Sequence, residues 1–244
     1  MNAPVSIRPQ RAMILAAGIG KRMRPITATV PKPLVEVGGR ALIDYSLDRL
    51  ERAGVEKAVV NVHYLADLVR AHVKRRQRPT VVVSDERQKL LDTGGGIAKA
   101  LPELGEEPFY VMNSDSFWIE GPRANLDWLA GGWHGDRMDA LLLLASTVRS
   151  VGYNGRGDFT MDPAGRLSRR SEREVAPFAY AGAAIVHPRL FADCPQGPFS
   201  LNQLFDKAIE AERLFGVRMD GVWLHVGTPE TISEAELSIA DSAA

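Results

Sequence analysis

The sequence predicts an α/β fold built on a mainly parallel sheet with helices on both faces. Three observations point there. Short β-rich runs alternate with apolar residues at helical spacing from Ala12 to Asp115. A Gly-x-Gly turn, Gly18 and Gly20, follows the first of those runs at once. A chain of 244 residues, 45% hydrophobic and 25% charged, can also bury a sizeable core in one large α/β unit.

In chain order, residues 12–16 (AMILA) read as a buried strand, and residues 42–53 carry a helical apolar period that stops at Gly54. Residues 57–62 read as a strand, 65–75 as a helix, 80–84 as a strand and 96–104 as a short helix. Residues 109–113 form the next strand, ending in Ser114-Asp115. Beyond Asp115 the regularity weakens. Residues 139–146 are a strongly apolar strand, 151–174 read as hairpins or loops, 179–186 as a strand and 201–213 as a helix. Residues 222–226 are a last strand before a final helix from Pro229. No repeat and no Pro/Gly/Ser linker divides the chain, so residues 1–244 are expected to form one domain, with 1–10 as a flexible N-terminal extension.

Composition narrows the function. Thirty Lys plus Arg against thirty Asp plus Glu give a formal net charge of zero, so no global field draws the chain to nucleic acid or an acidic membrane. A single cysteine, Cys194, excludes an intramolecular disulfide and a Cys-rich zinc site. The first ten residues lack the apolar core of a signal peptide, and the apolar run at 140–145 is too short for a bilayer, so a cytoplasmic protein acting on small molecules is expected.

The segment Leu15-Ala-Ala-Gly-Ile-Gly-Lys-Arg-Met-Arg-Pro25 leaves the first strand. Exposed backbone N–H groups there can cradle phosphates, assisted by Lys21, Arg22 and Arg24; a tight strand-to-helix turn is the alternative. No Ser or Thr follows Gly20-Lys21, which excludes a Walker A loop, and Met23 stands where a dinucleotide fingerprint needs its third glycine. Pro31 and Pro33 clamp Lys32 between them, so that its side chain is presented in one direction.

The run L-A-A-G-x-G-x-R-x-x-P followed by P-K-P-L resembles the signature of the sugar-1-phosphate nucleotidyltransferases. The resemblance extends from about Arg11 to Leu237. It implies a single Rossmann-like domain with a mixed, mainly parallel central sheet, and transfer of a nucleotidyl group from an NTP to a sugar 1-phosphate with release of pyrophosphate. It implies that Arg22 and Lys32 hold the triphosphate and the phosphoryl groups in transit, and that Ala17, Gly18, Gly20 and Lys21 bind the nucleotide.

Asp92-Thr-Gly-Gly-Gly96 is expected as a loop just before a helix, where absent side chains let a flat base lie against the backbone; a flexible loop is the alternative. By resemblance it is the nucleobase loop, carrying Gly94 and Gly95. Its T-G-G-G-I form resembles the subgroup acting on N-acetylmuramate 1-phosphate with UTP. Asn113-Ser-Asp115 ends an apolar strand, where α/β ligand sites form, and Asp115 suits Mg²⁺, with Mn²⁺ as a second choice. The resemblance supports that role for Asp115 and places Asn113 with the nucleotide. The stretches at 154–159 and 180–188 resemble sugar-facing segments, giving Asn154, Gly155 and Gly182 as sugar contacts; hairpin geometry is the alternative. His187 reads as structural, and His63, His72 and His134 have no partner pattern.

The pattern departs from the family at Trp223-Leu-His-Val-Gly-Thr228, where His225 stands at the position of the family's second metal-binding Asp. A neutral imidazole suits Mn²⁺ or Zn²⁺ better than Mg²⁺. Asp115 with phosphates and water holding Mg²⁺, and His225 near the phosphates, is the favoured reading. A base change to GTP with a mannose- or heptose-type substrate, CTP with a phospho-alcohol, and a non-catalytic sugar-nucleotide sensor are the alternatives.

Overall fold

A computed structural model describes residues 7–243. The strands are β1 (Arg11–Leu15), β2 (Glu36–Val37), β3 (Arg40–Ala41), β4 (Lys57–Val62), β5 (Thr80–Asp85), β6 (Phe109–Asn113), β7 (Ser116–Glu120), β8 (Ala140–Ser146), β9 (Phe159–Met161), β10 (Leu167–Arg169), β11 (Phe178–Val186), β12 (Leu214–Arg218) and β13 (Gly221–His225). The helices are α1 (Leu42–Arg52), α2 (Ala66–Val73), α3 (Asp92–Leu104), α4 (Asn125–Gly132), α5 (Leu201–Glu210) and α6 (Glu230–Ala243).

The central sheet has nine strands. β6, β1, β4 and β5 lie side by side and parallel. β11 runs antiparallel to β6 and joins this half to β8 and β9, while β12 pairs in parallel with β8. The sheet is therefore mixed, with a parallel half at the N-terminal end of the chain. β7 and β13 form a separate antiparallel pair that brings Ser116 opposite His225.

Strand periodicity sorts the core into two faces. Ala12 and Ile14 of β1, Ala58 and Val60 of β4, and Tyr110 and Met112 of β6 pack with Ile43, Leu47 and Leu50 of α1 and Val69 of α2. Met13, Val59, Phe109 and Val111 point to the other face and pack with Ile97, Ala100 and Leu104 of α3 and Leu204 and Phe205 of α5. Each fully buried Ile, Leu or Phe here contributes roughly 1.5–3 kcal/mol. A third cluster, with Met23, Val35, Leu42, Phe117, Leu224 and Ala235, seats the segment after β1 against β7, β13 and α6.

The structure corrects several sequence expectations. Residues 1–6 lie outside the described residues, and residues 7–10 are tied down: Ile7 packs on the core, Pro9 is buried, and the Gln10 carbonyl accepts from the Glu56 and Lys57 amides. Helix 201–213 ends at Glu210, where Ala211 caps it and Glu212 at φ +57° turns the chain into Leu214–Arg218, the strand that pairs with β8. β7, α4 and β12 have no counterpart among the elements expected from sequence.

The main correction concerns α3, which begins at Asp92, so its first turn contains Thr93-Gly-Gly-Gly96. Three glycines disfavour a helix, and tertiary contact overrides that preference. A Cβ on Gly94 would lie 2.3 Å from the Phe199 ring, one on Gly95 2.3 Å from the Gly197 carbonyl oxygen, and one on Gly96 2.7 Å from Asn61 Nδ2. The glycines thus face protein on three sides rather than an open platform. The Gly94 and Gly95 amides donate to the Phe199 carbonyl at 2.9 and 3.2 Å, which satisfies two N–H groups of the helix start.

Gly95→Ala is expected to destabilise the fold by about 1–3 kcal/mol, since its Cβ would meet backbone that cannot rotate away. Gly131→Ala, in α4 with open space around its Cβ position, is expected to stabilise by about 0.5–1 kcal/mol. Thermal unfolding of both variants checks the pair, and an unchanged midpoint for Gly95→Ala would contradict this packing.

Candidate active site

Two neighbouring strands set the site. β1 and β6 run parallel with Leu15 opposite Asn113, so the turn leaving β1 lies beside Ser114 and Asp115. The Ser114 amide and hydroxyl both donate to the Leu15 carbonyl, at 3.2 and 2.9 Å. From β4, Asn61 Oδ1 accepts from the Ala16 amide at 2.8 Å, and Asn61 Nδ2 donates to Glu86 Oε1 at 2.8 Å. Glu86 Oε2 accepts from the Leu91 amide at 3.0 Å. This buried amide–carboxylate link fixes the start of the β1 turn relative to the entry of α3.

Along the turn, Gly20 has φ +68°, and a Cβ there would lie 3.0 Å from both Lys32 Cβ and Thr27 Cγ2. Glycine is required on both counts. A short 3-10 turn at Lys32–Leu34 follows the extended Pro31 and directs Lys32 inward. Lys32 is 8% exposed, and its Nζ donates to Asp115 Oδ2 at 2.7 Å. Burial of the Asp115 carboxyl pushes its pKa up, but the Lys32 charge and hydrogen bond, aided by His225, hold it below the usual carboxylate range.

Two cavities share Asp115 of this pair. The first, about 460 Å³, is lined by Leu15 to Gly18, Lys32, Asn61, Asp92, Thr93 and Pro198. The second, about 260 Å³, is lined by Tyr153, Asp158, Phe159, Arg169, Tyr180, Asn202, Trp223 and His225, among others. Asn113 and Asp115 form part of both walls. Beside the junction, Tyr153, Trp223 and His225 make a chain of tilted rings, with centroids 5.2 Å apart at each step. Burial lowers the His225 pKa, the Asp115 carboxylate opposes this, and the Lys32 and Arg22 cations lower it further. His225 Nδ1 and the Tyr180 hydroxyl are buried with no hydrogen-bond partner among the described residues.

Ala17, Gly18, Lys32, Asn113 and Asp115 are brought together at the first cavity. Arg22 is exposed, and its Nη1 lies 3.8 Å from where a Cβ on Gly227 would stand, which puts it beside the segment carrying His225. Lys21 is exposed and outside both linings. Gly94 and Gly95 are buried in α3, behind Asp92 and Thr93. Asn154 and Gly155 are exposed and do not line the second cavity, whereas their neighbours Tyr153 and Asp158 do. Gly182 is buried with φ +79° at the register shift of β11 between Tyr180 and Ala184; it sets a bulge rather than a cavity wall. His187 Nδ1 accepts from the Arg189 amide at 3.2 Å, a structural contact.

Sequence reasoning missed Asn61 and Pro198 in the first cavity and Arg169 and Asn202 in the second, whereas Thr93 and Asp158 lie in the two motifs it singled out, at 92–96 and 154–159, without being named there. The strands and helices that carry them converge through long-range pairing, and no local spacing signals it.

The model of the nucleotidyl transferase family matches residues 11–127. The chain is 48% identical to the N-acetylmuramate alpha-1-phosphate uridylyltransferase of Caulobacter vibrioides, over 98% of this chain and 100% of that protein. It is 33% identical to the Neisseria meningitidis serogroup B protein of the same name, over 93% and 96% of the two chains. The solved inositol-1-phosphate CTP transferase from T. maritima shares the fold, with a TM-score of 0.74 at 18% identity over 94% and 97% of the chains. A UDP-glucose pyrophosphorylase complexed with UDP-glucose has a TM-score of 0.73 at 16% identity over 96% and 99%.

Lys32→Met is expected to raise the Asp115 pKa, because burial would then act with its main opposing charge removed. Asp115 in the intact pair favours folding above the ordinary carboxylate range, and that contribution is lost as pH falls through its depressed pKa. Carboxyl ¹³C NMR, with Asp115→Asn for assignment, reads the shift; an unmoved titration would contradict the pairing.

Proposed function

We propose a function from one premise: this chain belongs to the nucleotidyl transferase family. It is a sugar-1-phosphate nucleotidyltransferase that transfers a uridylyl group from UTP, with N-acetylmuramate α-1-phosphate as the acceptor, giving UDP-N-acetylmuramate and pyrophosphate. The observation that carries this reading is the pair of cavities sharing Asn113 and Asp115, one for each substrate, with Lys32 at the junction. Near-complete coverage of the two uridylyltransferase relatives supports the choice of base and sugar.

The acceptor's phosphate oxygen is already anionic at pH 7, so no protein base has to create the nucleophile. That oxygen forms a bond to the α-phosphorus of UTP. The bond from the α-phosphorus to the oxygen bridging to the β-phosphate breaks, and the electron pair leaves with pyrophosphate. The obstacle is repulsion between two anions, and the site meets it by positioning and by charge. Lys32 steadies the α-phosphate and the acceptor phosphate. Arg22, exposed beside Gly227, closes on the departing pyrophosphate. The Ala17 and Gly18 backbone and Asn113 seat the nucleotide, and Asp92 and Thr93 at the start of α3 face the same cavity.

A divalent cation fits the junction. Asp115 is a hard oxygen donor whose side chain keeps 29% exposure, and its Oδ2 is taken by Lys32. Among the described residues no three of His, Cys, Asp and Glu gather as a metal-binding group, so Asp115 would hold the ion together with substrate oxygens. Mg²⁺ is the expected ion and Mn²⁺ the alternative; it would neutralise phosphate charge. His225, opposite Ser116 in the β7–β13 pair, would hydrogen-bond the phosphates or serve as a further ligand. The product is a cell-wall sugar nucleotide, which supports a place in peptidoglycan recycling in the cytoplasm, with small-molecule partners and neither nucleic acid nor membrane. Among the described residues no helix is long and apolar enough to cross a membrane.

Pyrophosphate release over a grid of NTPs and sugar 1-phosphates, with Mg²⁺, Mn²⁺ or EDTA, tests the assignment. A signal for UTP with N-acetylmuramate 1-phosphate, abolished by EDTA, is expected; a stronger signal at another grid position would overturn the substrates. Lys32→Ala is expected to lower kcat roughly 10²–10³-fold with the fold retained, and near-normal turnover would contradict the role given to Lys32.

A further inference from the structure

The second cavity contains a single Lys or Arg among its described lining residues, Arg169 at the end of β10. Its guanidinium is held in place from two sides. Nε donates to Asp206 Oδ1 at 2.6 Å, and Nη2 donates to Asn202 Oδ1 at 2.9 Å, both acceptors on α5. Its Cζ stands 4.6 Å over the Phe159 ring, which also lines the cavity. Nη1 has no hydrogen-bond partner among the described residues. The Asp206 side chain is 52% exposed, so this pair is screened by solvent and leaves the guanidinium attractive to a second anion.

The cavity's own carboxylates bond other groups and not Arg169. Asp115 is paired with Lys32, and Asp158 Oδ2 accepts from the Tyr180 amide at 2.9 Å, tying it to β11. The phosphate of the acceptor belongs at the Asp115 end. A cation with a free N–H edge elsewhere in the same wall therefore calls for a second negative group on the sugar. N-acetylmuramate differs from N-acetylglucosamine by a lactyl ether that ends in a carboxylate. Enclosing that carboxylate without a counter-charge would be costly, and a planar guanidinium meets it with directed hydrogen bonds.

We propose that Arg169 is the subsite for the acceptor's carboxylate and the residue that selects an acidic amino sugar over its neutral parent; this rests on the acceptor proposed above. Asn202 and Asp206 position the guanidinium, and Phe159 supports its face. Because α5 supplies both braces, the subsite joins the β9–β10 hairpin to α5 across the cavity.

Isothermal titration of UDP-N-acetylmuramate and UDP-N-acetylglucosamine into the wild-type chain, Arg169→Gln and Arg169→Lys tests it. Charged hydrogen bonds of this kind correspond to roughly a ten- to hundredfold preference. The wild type is expected to prefer the acidic sugar nucleotide by at least about tenfold, Arg169→Gln to bring the ratio of the two Kd values near one, and Arg169→Lys to keep part of it. If the wild type discriminates and Arg169→Gln keeps the ratio, with its two affinities unchanged or weakened together, Arg169 is a structural tie and the inference falls alone. If Arg169→Gln does not fold, a full wild-type ratio in Arg169→Lys overturns the inference and an intermediate ratio supports it. A wild type that does not bind UDP-N-acetylmuramate, or binds it no better than the neutral analogue, overturns the proposed acceptor together with the inference.

Discussion

The contact between Lys32 and Asp115 is the constraint on which the site depends. It joins residues 83 apart in sequence at 2.7 Å, with the lysine almost fully enclosed. Such a pair forms only if everything behind it is placed first. Gly20 must let the turn pass close to Lys32, Pro31 must point the chain inward, and β1 must meet β6 with Leu15 opposite Asn113. An enclosed lysine without its carboxylate would carry an uncompensated charge, so the pair ties the folding of the turn to the integrity of the β6 end.

The same pair explains how a chain with no net charge can handle two polyanions. Three of its cationic groups stand at or beside the two cavities, among the many carried on the surface. Lys32 lines the first cavity and bonds the Asp115 that lines both, Arg22 stands beside the segment carrying His225, and Arg169 lies in the wall of the second cavity. At short range in a partly enclosed site each charge acts far more strongly than its exposed counterparts elsewhere. The Asn61–Glu86 link performs the complementary task, since it carries no exposed charge and keeps the β1 turn and the α3 entry in fixed relation.

Much of this is legible in the sequence, and what is not has a physical reason. β4 and β6 are read to the residue, because both of their faces are buried and turn residues bound them. Lys32 and Asp115 are readable as candidates, since each sits in a dense local motif, but their contact is not. The start of α3 is misread because glycine's intrinsic preference is a loop, while the reason for those glycines lies in Phe199, Gly197 and Asn61, far along the chain. β7 and β12 are missed because each depends on a distant partner, β13 and β8. The second cavity is the least legible part. Its walls come from β9, β10, β11, α5 and β13, and the polar stretch at 151–174 reads as hairpins or loops until those elements close around it.

The central claim is that each substrate has its own cavity and that the two meet at Asp115. A crystal structure with a non-hydrolysable UTP analogue and N-acetylmuramate 1-phosphate bound together tests it most directly. The account predicts the uracil beside Asp92, Thr93 and Pro198, the sugar among Tyr153, Asp158 and Arg169, and both phosphate groups at Lys32 and Asp115. A sugar bound outside the second cavity, or a triphosphate directed away from Lys32, would contradict it.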